Sequence, residues 1–338
     1  MREYVKSHKF NPEAMTLVRQ CVQIVTNFQS RGFRMTLRQL YYQLVKDNII
    51  PNQEKQYKRL SALLSDARLM GFIDWSAIED RIRVPRMPSE FENLDELVDA
   101  ALATYRLPRW KDQPHYVELW VEKDALAGIL QPLAREYHVP MMVNRGYSSQ
   151  TAMYDAGKRF LTGVYGDVKL PYMTLAEFMK GTEVGDKNAG SSFLKETFML
   201  NRDKLPKPKK DAILFYLGDH DPSGEDMVRD IQERLEMYGV PLDVRKLALT
   251  MDQVEEYDPP PNPAKMSDPR AAEYVDKHGD TSWEVDALGP DVLDQLIRDA
   301  FDGVVDKEKM DAIKEEEEAD KKLLREAVKS VRNRKEKK

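Results

Sequence analysis

The sequence has one cysteine, Cys21, among its 338 residues. No disulfide can form within the chain, and the composition fits a reducing compartment. Cys21 sits at helical spacing with Leu17, Ile24 and Val25, so it reads as a core residue and not as a nucleophile. No apolar run approaches the roughly 20 residues that a membrane-spanning helix needs. The opening stretch MREYVKSHKF has no apolar core, so no secretory signal is expected, and the expected location is the cytoplasm without a membrane partner. Internal repeats are absent. An overall positive charge is also lacking: the formal net charge is −6, a weak argument against a nucleic-acid partner.

The distribution of charge says otherwise. Residues 31–86 hold 11 Lys/Arg against 6 acids, and residues 321–338 hold 9 against 2. Local basic surfaces on an acidic chain suit an enzyme that binds double-stranded DNA. The C-terminal run is read instead as a solvated helix face.

The length allows two domains. Residues 11–30 have the pattern of an amphipathic helix. Thr36 can cap a second helix over 37–47, and a third spans 54–70 and stops at Gly71. An extended segment, IDWSAIEDRIRV, follows. Three helices and a small wing predict a winged helix, a helix-turn-helix variant, over residues 1–86. Residues 87–113 read as a linker with one helix at 93–105. From 114 to 305 strands and helices alternate: strands at 116–121, 139–143, 212–218 and 242–249, helices at 124–136, 149–161 and 223–238. That order predicts an α/β domain with a parallel sheet. Residues 163–210 look like an insertion with one or two short helices, 257–270 like a proline-rich arm, and 306–338 like a charged helical tail that frays.

In TLRQLYYQLV, Leu37, Leu40, Tyr41, Leu44 and Val45 share one helical face, which makes Tyr41 a core residue. Tyr42 lies about 100° further round, flanked at four residues by Arg38 and Lys46 on the polar face. Periodicity alone favours an aromatic that packs on the wing or stacks on DNA. Phosphoryl transfer would give an exposed tyrosine between two cations a chemical reason: an arginine favours phenolate and can bind the scissile phosphate. In the third helix Leu60, Leu63, Leu64 and Ala67 form the buried stripe. Lys55, Lys58, Arg59 and Arg68 occupy other faces, as on a helix that reads the major groove, and Arg81, Arg83 and Arg86 would extend the basic surface onto the wing.

Two segments place acids at the carboxyl ends of expected parallel strands, where open α/β sheets build their sites. VELWVEKDALAGIL offers Glu122, and FYLGDHDPSGEDM offers Asp219 and Asp221. Three carboxylates with waters and a phosphate suit octahedral Mg²⁺, with Mn²⁺ as a substitute. Asp226, three residues after Ser223, fits a capping box, Glu225 fits the helix dipole, and Glu118 points to the other strand face or its edge; all three are read as structural. His220 is read as a neighbour of the ion and not as its ligand.

With these residues in place, the chain resembles the A subunit of type IIB topoisomerase VI and the related meiotic double-strand-break transesterases, and more narrowly their short phage- or prophage-borne single-subunit members. The likeness runs from about Thr36 to Leu288. The family's Arg-x-x-aromatic-Tyr pattern falls on Arg38, Tyr41 and Tyr42, its Toprim glutamate on Glu122, and its GDxDPxG stretch on Asp219 and Asp221. RGYSSQ matches a Gly-Tyr-Pro stretch with Ser148 in the proline position, and LALTMDQVEEYDPPP and WEVDAL resemble the closing segments. The resemblance implies a winged helix joined to a Toprim metal-binding domain. It also implies a homodimer in which each tyrosine works with the partner's metal site, and paired breaks that leave 5′-phosphotyrosine. No segment resembles the ATPase of such systems, so strand passage would need a separate partner. Relatives without the tyrosine act as hydrolytic nucleases. Two other readings therefore stand beside transesterification: a hydrolytic Toprim nuclease and a non-catalytic DNA-binding protein.

Overall fold

A computed structural model describes residues 4–78, 88–166, 169–174, 177 and 198–336. The chain begins with three helices, α1 (Pro12–Ser30), α2 (Leu37–Lys46) and α3 (Glu54–Leu69). The starts of α1 and α2 are dictated locally. The Asn11 side chain accepts from Ala14 N at 2.7 Å ahead of Pro12, and Thr36 and Gln39 form a reciprocal capping box. After α3 the chain turns at Gly71 with a φ of +74°, a conformation that favours glycine. The three helices bury Leu17, Cys21, Leu40, Leu44, Leu60 and Leu64 in one core. Burial pushes the Cys21 thiol up to about 12, so it is inert packing, as expected.

The segment expected to be extended from Ile73 differs. Asp74 accepts from Ser76 N at 2.8 Å and Ser76 Oγ at 2.7 Å, which winds Trp75–Ala77 into a 3₁₀ turn. Ile78 then pairs with Met35 in a parallel bridge. Residues 79–87, which include Arg81, Arg83 and Arg86, lie outside the described residues.

Helix α4 (Leu94–Thr104) leads to the second half. Its elements in order are β1 (His115–Val121), α5 (Ala127–Glu136), β2 (Met141–Val143), α6 (Gln150–Tyr165), β3 (Tyr172–Thr174), β4 (Phe198–Leu200), β5 (Asp211–Leu217), α7 (Pro222–Met237), β6 (Leu242–Ala248), α8 (Met251–Tyr257), β7 (Asn262–Pro263), α9 (Ala271–His278), β8 (Thr281–Ser282), α10 (Pro290–Asp302) and α11 (Lys307–Glu336). Strands β2-β1-β5-β6 form one parallel sheet. Alternate residues of β1 and β5 feed opposite faces. Leu119, Val121, Phe215 and Leu217 pack with α5 and α10, and Trp120, Leu214 and Tyr216 pack with α6 and α7. Cover on both faces explains why these strands read as near-continuous apolar runs, with Glu118 the one acid inside β1.

Where the insertion is described, α6 continues to Tyr165, β3 and β4 make an antiparallel pair, and Arg202–Lys204 wind into a short 3₁₀ helix; residues 178–197 lie outside the described residues. The tail is helical, as expected. Residues Lys307–Glu336 are one helix, held by Glu317, which is 1% exposed. It accepts from Arg109 Nη2 at 3.1 Å, Lys321 Nζ at 2.8 Å and Leu107 N at 3.1 Å. No helix among the described residues is long and apolar enough to cross a membrane.

The N-terminal helices are docked on the loop between β8 and α10. Ala287 enters their core, Arg31 pairs with Asp291 at 2.7 Å, and Asn52 Nδ2 donates to Pro261 O and Asn262 Oδ1, both at 2.9 Å. The proline-rich arm is thereby a latch between the halves of the molecule.

Candidate functional site

In the β1–β5 register Val121 lies beside Leu217, so the residues that follow each strand emerge side by side. Glu122 N donates to Leu217 O at 2.8 Å, and Asp219 N donates to Glu122 Oε2 at 3.1 Å. Asp221 caps α7, its Oδ1 accepting from Gly224 N at 2.6 Å and Ser223 Oγ at 2.9 Å. The expected box between Ser223 and Asp226 does not form, because Pro222 takes the first helical position and makes Asp221 the cap. Asp226 instead accepts from Tyr147 Oη at 2.7 Å and Arg270 Nη1 at 2.9 Å. Glu118 is structural as expected, buried and bonded to Arg159, Trp120 and Tyr116. Glu225 takes Lys246 at 2.5 Å.

Gly224 fixes how closely α7 approaches the acids. A Cβ there would sit 2.2 Å from Asp219 O and 3.2 Å from Asp221 Oδ1. Gly224→Ala is therefore expected to cost about 1–3 kcal/mol in urea unfolding and to displace Asp219. An unchanged unfolding midpoint would contradict the packing.

Lys123 lies at the centre of the acids. Its Nζ is 2.9 Å from Asp219 Oδ1, 2.7 Å from Glu284 Oε2 and 3.2 Å from Asp286 Oδ1. Burial raises the Glu122 carboxyl above its ordinary range, and the neighbouring Asp221 adds to this. Burial, with Glu122 and Asp286 nearby, pushes Asp219 up to about 7 against the pull of Lys123. Two acids that resist ionisation side by side are a donor set that a divalent cation would relieve. The three expected metal acids are adjacent but not gathered tightly: among the described residues, the trio with ligand atoms within 4.8 Å of one another is His220, Glu225 and His278.

The raised Asp219 carboxyl makes the stability of the fold depend on pH. Its ordinary value is 3.8 and its folded value is about 7, so between these the folded chain binds more protons than the unfolded one. The metal-free protein therefore loses this contribution to stability as pH rises through about 7. Unfolding curves from pH 5 to 8 should show the loss for wild type, and a flatter profile for Asp219→Asn; parallel profiles would contradict it.

Tyr42 is not on an exposed face. It is 4% exposed, covered by the loop that carries Glu284 and Asp286. Arg38 is its neighbour as expected, with Nη2 3.4 Å from Tyr42 Oη and the guanidinium carbon 5.7 Å from the ring centroid. Arg38 also bonds Glu284 and lies 3.1 Å from Asp286 Oδ2, though without the angle for a hydrogen bond. Asp286 is fully buried. Burial and the two acids raise the Tyr42 phenol above its ordinary value of 10, and Arg38 only partly opposes them. In this arrangement the arginine does not yield a phenolate. Tyr41 is core as expected, its Oη 3.0 Å from Asn52 Oδ1.

The expected DNA-facing cations divide. Lys46 and Lys55 are exposed with no ion-pair partner among the described residues. Lys58 pairs with Glu54 and Arg59 with Glu13, each at 2.7 Å on the surface. Arg68 stacks 4.6 Å from the Trp75 ring centroid and donates to Trp75 O at 2.8 Å, so it pins the 3₁₀ turn.

Lys123, Glu284 and Asp286 had no expected role. The available signal was charge inside apolar surroundings: Lys123 directly follows an apolar strand and its terminal acid, and Glu284 and Asp286 bracket the buried Val285. Comparison of the chain with protein-family models, with curated proteins and with solved structures found no match to any of them.

Proposed function

We propose that the protein is a Mg²⁺-dependent DNA-cleaving transesterase with Tyr42 as nucleophile, built as a winged helix on a Toprim-type sheet and acting as a homodimer on double-stranded DNA. The observation that carries this reading is the continuous contact path from Tyr42 through Arg38, Glu284, Asp286 and Lys123 to Asp219 and Glu122. An aryl hydroxyl and acids from distant segments share one charged cluster.

The Tyr42 oxygen attacks phosphorus and the 3′ oxygen leaves, so one phosphodiester is exchanged for another and the 5′ phosphate stays on the protein. The phenolic proton passes to a carboxylate of the cluster; Glu284 is held ionised by Lys123 and Arg38 despite its burial and also contacts Tyr42. Arg38 and Lys123 supply positive charge to the phosphate oxygens. Glu122, Asp219 and Asp221 would hold Mg²⁺ or Mn²⁺, which when bound neutralises the phosphate and the leaving oxygen. Because Tyr42 is covered, this is a closed arrangement. DNA entry requires the N-terminal helices to lift from the loop over 284–291, after which the tyrosine, with Arg38, meets the same cluster of acids, the proton acceptor included, of a partner subunit. Lys46 and Lys55 would then meet phosphates. Strand passage would use a separate ATPase partner, and the location would be the nucleoid.

Saturating Mg²⁺ should stabilise the chain, by about 2.7 kcal/mol at 100 times its dissociation constant, and Glu122→Gln should abolish the gain. Cleavage itself is tested with 3′-end-labelled duplex DNA, metal and denaturing electrophoresis. The label is expected to run with the protein until protease treatment. The burial of Tyr42 favours one other reading, a hydrolytic nuclease in which the tyrosine only packs. In that case the label runs as free DNA with a 5′ phosphate.

A further inference from the structure

His220 stands between the two aspartates of the GDHDPSG stretch, yet its side chain turns away from them. It is 2% exposed, and its Nδ1 lies 2.8 Å from Tyr274 Oη. Tyr274 Oη is also 2.9 Å from His220 O and 3.0 Å from Thr281 O, and carbonyl oxygens only accept. The phenolic proton is directed to these carbonyls, so the tyrosine oxygen accepts from His220 Nδ1–H. Nε2 is left as a lone pair, 3.8 Å from Glu225 Oε1. The His278 ring is 4.8 Å from the His220 ring, and one ligand atom from each of His220, Glu225 and His278 lies within 4.8 Å of the others.

We infer that His220, Glu225 and His278 form a binding site for a zinc-class transition-metal ion, separate from Glu122, Asp219 and Asp221. Two imidazoles and one carboxylate are the donors of a four-coordinate Zn²⁺ or Co²⁺ site and are poor partners for Mg²⁺. The hydrogen bond at Nδ1 is the outer contact that fixes a metal-binding histidine in the right tautomer. The donors come from the loop after β5, the first turn of α7 and the last turn of α9, so an ion would staple α9 to the sheet edge. A cavity of about 320 Å³, lined by Glu225, Arg270, Tyr274, Lys277 and His278, adjoins the trio and leaves room for a fourth ligand such as water.

Lys246 makes the site communicate with the acids. Its Nζ holds Glu225 Oε1 at 2.5 Å and donates to Asp219 O at 2.9 Å. An ion must take Glu225 from Lys246, so occupancy alters the charge beside the Asp219 backbone. Lys246→Met should therefore bind the ion more tightly than wild type.

The test is a Co²⁺ titration of the full chain in excess Mg²⁺, read by visible absorption, and it needs no cleavage activity. One equivalent with a tetrahedral absorption band is expected. The band should persist in Glu122→Gln, vanish in His278→Ala, and shift to about 10–100-fold weaker binding in Tyr274→Phe. Melting without metal checks that His278→Ala folds; if it does not, Glu225→Gln serves, with weaker binding expected. A missing band in wild type, binding as tight as wild type in these site variants, or a band lost in Glu122→Gln overturns the assignment.

Discussion

Tyr42→Phe is expected to abolish covalent protein–DNA adducts and to slow cleavage by roughly 10⁴-fold or more, the scale seen when a nucleophile is removed from a catalytic group that acts as a unit. The substitution removes one atom. The ring stays buried and keeps its edge contact with Tyr41, whose centroid is 5.4 Å away. What is lost is the hydroxyl that Arg38 approaches at 3.4 Å. Arg38 keeps both acids, so stability should change by no more than about 1 kcal/mol, the net worth of one hydrogen bond. The signature is therefore a large loss of cleavage with an almost unchanged unfolding midpoint. Cleavage at the wild-type rate would make Tyr42 a packing residue and leave hydrolysis as the chemistry.

Lys123→Met is expected to have the largest effect on stability. The ammonium is the shared partner of Asp219, Glu284 and Asp286, and the last of these is fully buried. Removing one partner of a buried ion pair leaves an uncompensated charge and costs about 3–5 kcal/mol. The cost should shrink at lower pH, where Asp219 takes up a proton, and adding Asp219→Asn to the variant should recover part of it. Mg²⁺ should also rescue Lys123→Met more than wild type, since it supplies the missing charge. A loss below about 1 kcal/mol at neutral pH would mean that the acids are solvated and the cluster is not closed.

The sheet was legible because its physics is local. β1 and β5 are buried on both faces, so their sequences are apolar runs, broken in β1 only by Glu118, and the acids that follow stand out at their ends. Helix starts were legible where a capping side chain was unambiguous, as at Thr36. In DPSG two caps compete, and the proline decides for Asp221. The cover over Tyr42 was not legible. Helical periodicity tells which face a side chain occupies, but not what lies on that face; here the cover comes from Glu284 and its neighbours, 246 residues from Arg38. For the same reason Lys123, Glu284 and Asp286 gained no role. Each is an ordinary charge in its own segment and becomes part of a site only through long-range packing. The helical tail was legible from its composition, but its anchor was not: Glu317, its one buried acid among the described residues, finds its partners around Arg109.

The central claim is that the Tyr42 hydroxyl and the strand-end acids act on one phosphodiester. Its most direct test is mass spectrometry of the protease-digested product of a Mg²⁺ cleavage reaction stopped with denaturant. A nucleotide phosphate attached to the peptide that contains Tyr42, absent in Glu122→Gln, is the expected result. Cleaved DNA that carries free 5′ phosphates, with the Tyr42 peptide recovered unmodified, would contradict it.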